Sequence, residues 1–515
     1  MHVPRVANRY VGPAIGLTAA TGVLTAYLLT LAPGVVWAGA GIDSGDLAAA
    51  VAVGGVPHPT GYPTVMLLGL AVRAIPLGDL ALRLNVLTAL AAAGSLVPLG
   101  LLAARLRASA GTSLAVPEAV AAAAVLALYG LAPLVWSNAI VTEVYAFASL
   151  FLWSAMYAAA RARFDAESAT GNPRWAAVAG VLLGLGIGAH VTTALAALAL
   201  GAILLSGCWH AHLARRLAAA AIAGVATTCA VYVYLPVAAA LDPPINWGAP
   251  TTLERFWSVV SGEIYRSRLD ASDLGATGAK AAWLLGEPVR QLTWLQLPLL
   301  AIGGASLTRR FSWAALATGW IAISALAVSA FYTSRDDEVF ILPALAAAAL
   351  WSVVGVLEVV RLAPAARGGA HRLVAATLPL LLIATAVIRG TEVAQQVSMR
   401  DATHAAAFAH ATLAQAETGS VLLTEDDRAT FPLWYARYAP GGRSDLTIVD
   451  RRLWQFDWYR ETLQRTGGIP TDSPPARLLA AGEWPADRPL WAVDIVLRGA
   501  RSADVLATLR PLVTP

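Results

Sequence analysis

Residues 41–63 read GIDSGDLAAAVAVGGVPHPTGYP. Strongly apolar runs flank this stretch. Within it stand two aspartates, Asp43 and Asp46, a histidine between prolines, Pro57-His58-Pro59, and a Gly61-Tyr62-Pro63 turn. Its reading decides the fold, because the surrounding chain has the composition of a membrane protein. Hydrophobic residues make up 57%, charged residues 13%, and the mean hydropathy is +0.62, outside the range of soluble domains. Apolar runs of about 20 residues recur over the first three-quarters of the chain, long enough to cross a bilayer as helices. Backbone groups in lipid must be satisfied internally, and the alternation of barrel strands is missing, so the spans are helical.

The arginines set the expected topology. The net charge of +4 comes almost wholly from arginine, with Lys280 the lone lysine. These arginines are dispersed between apolar runs, which points to cytoplasmic loops beside anionic lipid and away from nucleic acid. Placing Arg5/Arg9, Arg105/Arg107, Arg161/Arg163/Arg174, Arg215/Arg216, Arg309/Arg310 and Arg361/Arg367/Arg372 inside gives about eleven crossings. They fall near 11–32, 82–104, 116–136, 141–160, 175–190, 192–208, 214–239, 291–308, 311–331, 339–360 and 372–390. The run 62–76 is too short and too proline-flanked to span, so 44–53 and 62–76 are expected as interfacial helices in one long first external loop. The N-terminus is then cytoplasmic, and everything after about residue 391 is external. A cleavable signal peptide is not expected at the first span. Cys208 and Cys229 are expected to be unbridged.

With this topology the unusual residues gather on the outer face. Asp43, Asp46 and His58 lie in the first external loop and Glu143 at the outer start of a span. His190 sits at the tip of a helical hairpin. The segment 241–290, with Trp247, Arg266 and Lys280, is a long external loop, and Arg335-Asp336-Asp337-Glu338 is a short one. Each residue also has a plain structural reading. Asp43 or Ser44 would cap a helix with Asp46 in its first turn, Glu143 would open a helix, and His190 would bond backbone at its hairpin. Arg335 beside acids would be a surface ion pair of little worth. Gly184, Gly186 and Gly188 suit close helix packing better than a nucleotide loop, since no strand precedes them.

In order along the chain stand GIDSGDLAAA, GGVPHPTGYP, LRLNVLTAL, WSNAIVTEVYAF, GLGIGAHVT, NWGAPTTLERFWSVVSGEIYR and YTSRDDEVFILPA. Together they resemble the lipid-linked-sugar glycosyltransferases of the GT-C fold, and among these the transmembrane protein O-mannosyltransferases. TEDDRATFPLWYAR and SDLTIVDRRL extend the likeness toward longer bacterial members. Two departures stand out: Asp46 replaces a more usual glutamate, and the external C-terminal part is short and lacks a repeat array.

The resemblance implies inverting transfer of a sugar, mannose in the nearest relatives, from a polyprenyl-phosphate carrier to an acceptor hydroxyl at the outer face. The acceptor would be an exported protein or a glycan. Asp43, with Asp46 next in line, is the expected general base. The phosphate leaving group needs a cation, for which Arg335 and Arg83 come first, then Arg266 and Lys280. His58, Glu143, His190 and Asp336 would orient the base or sugar hydroxyls, and Trp247 or Tyr62 would stack on the sugar. Neither metal nor other cofactor is expected.

The fold expected from all this is an α-helical integral membrane domain over 1–390 and a small external α/β domain over 391–515, with the protein in the inner cell membrane. Strands are expected at 420–425, 445–450 and 489–495, with helices near 428–438 and 452–466. Trp434, Tyr435, Trp454, Trp458 and Tyr459 would either bind acceptor or pack against the membrane domain. A transporter or flippase would show internal repeats and mid-span charges, which the sequence lacks; a non-catalytic assembly protein of the same fold stays open.

Overall fold

The structure is a computed structural model that describes residues 7–37, 41–109, 116–164, 173–206, 212–269, 274–334, 337–362, 369–470, 473–481, 483–485, 488–497 and 505–513. Among these residues six helices are long and apolar enough to cross a membrane: Val11–Thr30, Leu80–Ser109, Leu213–Ala239, Ser312–Phe331, Asp337–Arg361 and Ala376–Val397. Val116–Gly130 and Pro133–Ala139 make a seventh only as a pair bent by 70°. This corrects the straight span expected over 116–136. Pro133 cannot continue a helix but suits the first turn of a new one, and the Tyr27 hydroxyl donates to the carbonyl of Gly130 at 2.7 Å. The other expected crossings coincide with helices Tyr145–Phe164, Arg174–Ala189, Val191–Leu205 and Gln296–Arg310, which are shorter or less apolar.

Helix Arg174–Ala189 seats directly on helix Leu213–Tyr232. A Cβ added at Gly184 would lie 2.8 Å from the Gly224 carbonyl oxygen, and one at Gly188 would lie 2.3 Å from Thr64 Oγ1. The glycine series therefore serves close packing, as its spacing suggests. Cys229 is a free, exposed cysteine; Cys208 lies outside the described residues.

Both short helices expected in the loop after the first span are present, as Ser44–Val53 and Pro63–Arg73. Arginines close their carboxyl ends. Arg73 Nη1 donates to the carbonyls of Val51 and Ala52 at 3.1 and 3.0 Å. Arg83 Nη1 does the same for Val72 and Arg73 at 2.8 and 3.3 Å, where a cation also meets the negative end of the helix dipole. Asn85, fully buried, ties the loop after the first span to the turn before Tyr145. Its Nδ2 donates to the carbonyls of Ala32 and Gly34, and its Oδ1 accepts from Thr142 at 2.6 Å.

The last apolar helix runs Gly369–Val397, past the expected boundary at 390. Beyond it, β1 (Val421–Thr424), β2 (Thr447–Asp450), β3 (Leu490–Leu497) and β4 (Val505–Val513) form one sheet in the order β2-β1-β3-β4. β1 is parallel to β2 and β3, while β3 and β4 are antiparallel. β4 was not expected, because Pro511 interrupts its pattern; as the edge strand it tolerates that proline. The expected helices appear as Asp427–Tyr438 and Asp457–Gly467.

This α/β domain grips the loop that follows the first span. Trp37 Nε1 donates to the Arg428 carbonyl at 2.7 Å. Tyr435 Oη accepts from the Ala81 amide at 2.9 Å and donates to Asp79 at 2.8 Å. A Cβ at Gly45 would come within 2.8 Å of the Phe431 backbone, so only glycine lets helix Ser44–Val53 approach so closely.

Candidate functional site

Between Asp43 and His58 the loop builds a buried polar centre. Asp43 occupies the N-cap position of helix Ser44–Val53 but makes no side-chain capping bond there. Asp46, one turn on, is 0% exposed. Its Oδ2 accepts from the His58 backbone amide at 2.9 Å and lies 2.7 Å from His58 Nδ1, while Oδ1 accepts from Trp247 Nε1 at 2.9 Å. The two acids thus stand where the capping reading put them, at the N-cap and in the first turn, but without a side-chain capping bond.

His58 sits between the two acids. Its Nε2 is 3.0 Å from the Tyr62 hydroxyl and 3.7 Å from Asp43 Oδ2. Burial opposes a charge here. The charge of Asp43, the hydrogen bond to Asp46 and the charges of Asp46 and Asp427 outweigh it, pushing the imidazole up to about 9. His58 is an imidazolium at neutral pH, bridging one sealed carboxylate and one open to solvent: the Asp43 side chain is 39% exposed against 0% for Asp46.

Aromatic rings wall the centre on its inner side. Tyr62 stacks on His190 with centroids 6.0 Å apart, and His190 packs against Tyr145 and Phe340 at 5.2 and 5.8 Å. His190 Nδ1 is 2.8 Å from Thr192 Oγ1. Its burial, with the nearby charge of His58, pulls it down to about 4, so this second histidine is neutral. Glu143, 3% exposed, belongs to the same wall and acts electrostatically on Tyr62.

The sequence-derived candidates divide accordingly. Asp43, Asp46, His58, Tyr62, Glu143, His190 and Trp247 converge. Trp247 is 4% exposed and bonded to Asp46, and Tyr62 is 7% exposed. Both rings are thus enclosed within the site. Arg83 gives its Nη1 to helix-end carbonyls. Arg266 points outward, 71% exposed and 3.7 Å from Glu263, and Lys280 is paired with Asp337. Arg335 and Asp336 lie outside the described residues. Among the described residues no group of three or more His, Cys, Asp or Glu side chains could hold a metal ion.

Other residues at this opening escaped the sequence reading. Tyr265 feels the charges of Asp43, Asp46 and Asp427, and burial drives its phenol well above its ordinary value. Arg268 lies 5.0 Å over the Tyr265 ring, with Nη1 3.3 Å from Ser334 Oγ. The spacing EIYRSR offers two arginines, and only the geometry separates Arg268, over the Tyr265 ring, from Arg266, beside Glu263. Asp427 was hidden as one of three consecutive acids.

Known proteins resemble this chain in sequence and in fold. Residues 43–212 match the family model of the protein O-mannosyl-transferase TMEM260 N-terminal domain, and residues 405–475 match TMEM260-associated domain 2. The mouse protein O-mannosyl-transferase TMEM260 is 27% identical over 466 residues, covering 82% of this chain. The chain spans 61% of that relative's length. ArnT from Cupriavidus metallidurans, in its crystal structure bound to undecaprenyl phosphate, superposes with a TM-score of 0.56 at 15% identity, over 94% of this chain and 96% of ArnT. The oligosaccharyltransferase AglB from Archaeoglobus fulgidus, in complex with an inhibitory peptide and a dolichol-phosphate, gives 0.51 at 12%, over 84% and 65%. The chain is a multi-pass membrane protein of the GT-C fold, similar to the protein O-mannosyl-transferases over residues 43–212, which hold the acid pair, and over residues 405–475 of its α/β domain.

Proposed function

We propose that this chain is a membrane glycosyltransferase that moves a sugar, mannose by its likeness to the mouse protein O-mannosyl-transferase, from a polyprenyl-phosphate carrier to an acceptor hydroxyl of an exported protein, at the outer face, with inversion. The observation that carries the reading is the asymmetric acid pair: a solvent-open Asp43 next to an imidazolium that a sealed Asp46 holds in place. Asp43 takes the acceptor proton as its oxygen attacks the anomeric carbon, and the bond from that carbon to the carrier phosphate breaks. The carrier departs as a phosphate monoester, which needs no proton but does need positive charge. Arg268 is the described cation best placed for it, and Arg335 follows Ser334 directly in sequence. His58 orients Asp43 and keeps the acid pair from repelling itself. That ArnT was crystallised with undecaprenyl phosphate, and AglB with dolichol-phosphate and a peptide, supports this substrate class for the fold.

The test is transfer by the purified protein in lipid, with radiolabelled polyprenyl-phosphate mannose and membrane-extract proteins as acceptors. Label reaching protein with wild type, and reduced by at least about 10³-fold in Asp43→Asn at unchanged melting temperature, is the expected result. A folded wild type inert toward mannose and other polyprenyl-phosphate sugars would sink the reading.

A further inference from the structure

The residue that fixes Asp46 is itself fixed from outside the membrane domain. Trp247 donates its indole N–H to Asp46 Oδ1 at 2.9 Å. The ring that carries this N–H is enclosed by three aromatic side chains of the α/β domain. Trp458 lies 5.6 Å away at 36°, Trp434 6.2 Å at 79° and Phe431 6.3 Å at 71°. These rings also pack on one another: Phe431 and Trp434 are 5.7 Å apart, and Phe456 stacks on Trp458 at 5.7 Å. On its other side Trp247 meets His58 edge-on at 6.3 Å. Its backbone amide bonds the carbonyl of Val56, two residues before His58, at 3.1 Å. Aromatic pairs of this geometry are favourable beyond their area burial, so the seated α/β domain favours one orientation of the indole.

From this we infer that the α/β domain is a positioning part of the acid–histidine centre: Trp458, Trp434 and Phe431 orient the Trp247 indole, which orients Asp46 and through it His58 and Asp43. The inference rests on the proposed transfer for its catalytic consequence but not for its structural one. Of the two roles the sequence leaves open for these aromatics, acceptor binding or packing against the membrane domain, the second thus acts through Trp247. Trp434 is 4% exposed and fully engaged, so it offers no face to an acceptor. The outer domain is seated beyond these rings as well, by the bidentate Arg255–Glu461 pair at 2.9 and 2.8 Å. Removing one ring therefore loosens the indole without detaching the domain.

The experiment uses the full chain in lipid, with Trp458→Ala, the conservative Trp458→Phe, and His58→Gln to assign the signal. Carbon-13-labelled histidine NMR reads the His58 titration directly, without any turnover. The groups facing that imidazole are Asp43, Asp46, Asp427, Tyr62 and His190, and all are retained in the Trp458 variants. Trp458→Ala is expected to move the His58 titration down from about 9 toward its ordinary 6.5 and to lower kcat by roughly 100-fold with the donor KM little changed. Trp458→Phe should restore both. A folded Trp458→Ala protein with the wild-type titration overturns the proposal, leaving the outer domain as a cover. A shifted titration in a wild type that transfers no sugar keeps the positioning and removes the proposed reaction.

Discussion

Asp46 and Asp450 are buried carboxylates of one chain, 0% and 1% exposed, and each accepts three hydrogen bonds. Their donors differ in kind. Asp450 takes the Thr430 hydroxyl at 2.7 Å and the amides of Arg452 and Leu453 at 2.8 and 3.3 Å, tying the turn after β2 to helix Asp427–Tyr438. Two of its three donors are backbone, the third is a hydroxyl, and none of the three titrates. Asp46 instead holds a histidine whose far nitrogen faces a second, partly exposed carboxylate. A saturated buried acid by itself says nothing of function; what the donor does next decides it.

The sharpest way to break this comparison is to neutralise each acid in turn. Asp46→Asn removes the charge that holds the imidazolium and offers an amide N–H where a donor already sits. Its kcat for the proposed transfer is expected to fall roughly 100-fold, with the His58 titration dropping well below 9. An Asp46→Asn protein with unaltered titration would place Asp46 beside Asp450, as scaffold.

A second handle is pH. The folded His58 value is raised from 6.5 to about 9, so its ionisation stabilises the fold fully below about pH 6.5, and that contribution is lost as pH rises through 9. Transfer should fall over the same basic limb, as Asp43 and Asp46 lose the charge between them. His190 has the opposite sign. Lowered to about 4, it contributes above pH 6.5 and ceases to as pH falls through 4. The melting-temperature difference between wild type and His58→Gln, measured from pH 6 to 10, is expected to shrink toward the basic end. A difference that stays flat contradicts a charged bridge.

Asp450→Asn is the counterpart, with a smaller and different effect. Loss of charge-assisted acceptance within a buried network should destabilise the outer domain by about 1–3 kcal/mol, read by denaturant melting. Transfer per folded molecule and the His58 titration should be unchanged. A changed titration would mean that the β2 turn also feeds the centre.

How far the sequence carried this site follows from what it encodes. The acid pair, His58 and the turn at Tyr62 were legible because polar residues in an apolar chain announce themselves, and both short external helices followed from length and proline flanks. The orientation of Trp247 was not legible. Its ring partners Phe431, Trp434 and Trp458 stand far along the chain in the α/β domain, and nothing in the stretch INWGAP says which face of the indole is covered. The bend after Gly130 was missed for another reason. A hydropathy window averages over a Leu131-Ala132-Pro133 step that is apolar yet breaks the helix.

Arg83 gives the last test, because it was expected at the donor phosphate and instead closes helix Pro63–Arg73. Its partners are the carbonyls of Val72, Arg73 and Ile75, groups that any helix end leaves unsatisfied. Arg83→Met keeps most of the side-chain volume and removes the donors and the charge. The expected cost is about 1 kcal/mol in stability, the scale of a cation at a helix carboxyl end, with the donor KM within twofold of wild type. A phosphate ligand would behave otherwise: KM for the lipid-linked donor would rise tenfold or more with stability intact. Arg268→Met, compared side by side, is expected to give that second pattern, since its guanidinium lies over Tyr265 beside the acid centre. Two arginines of one outer face would then be separated by what they touch, one spent on backbone and one turned toward the reaction.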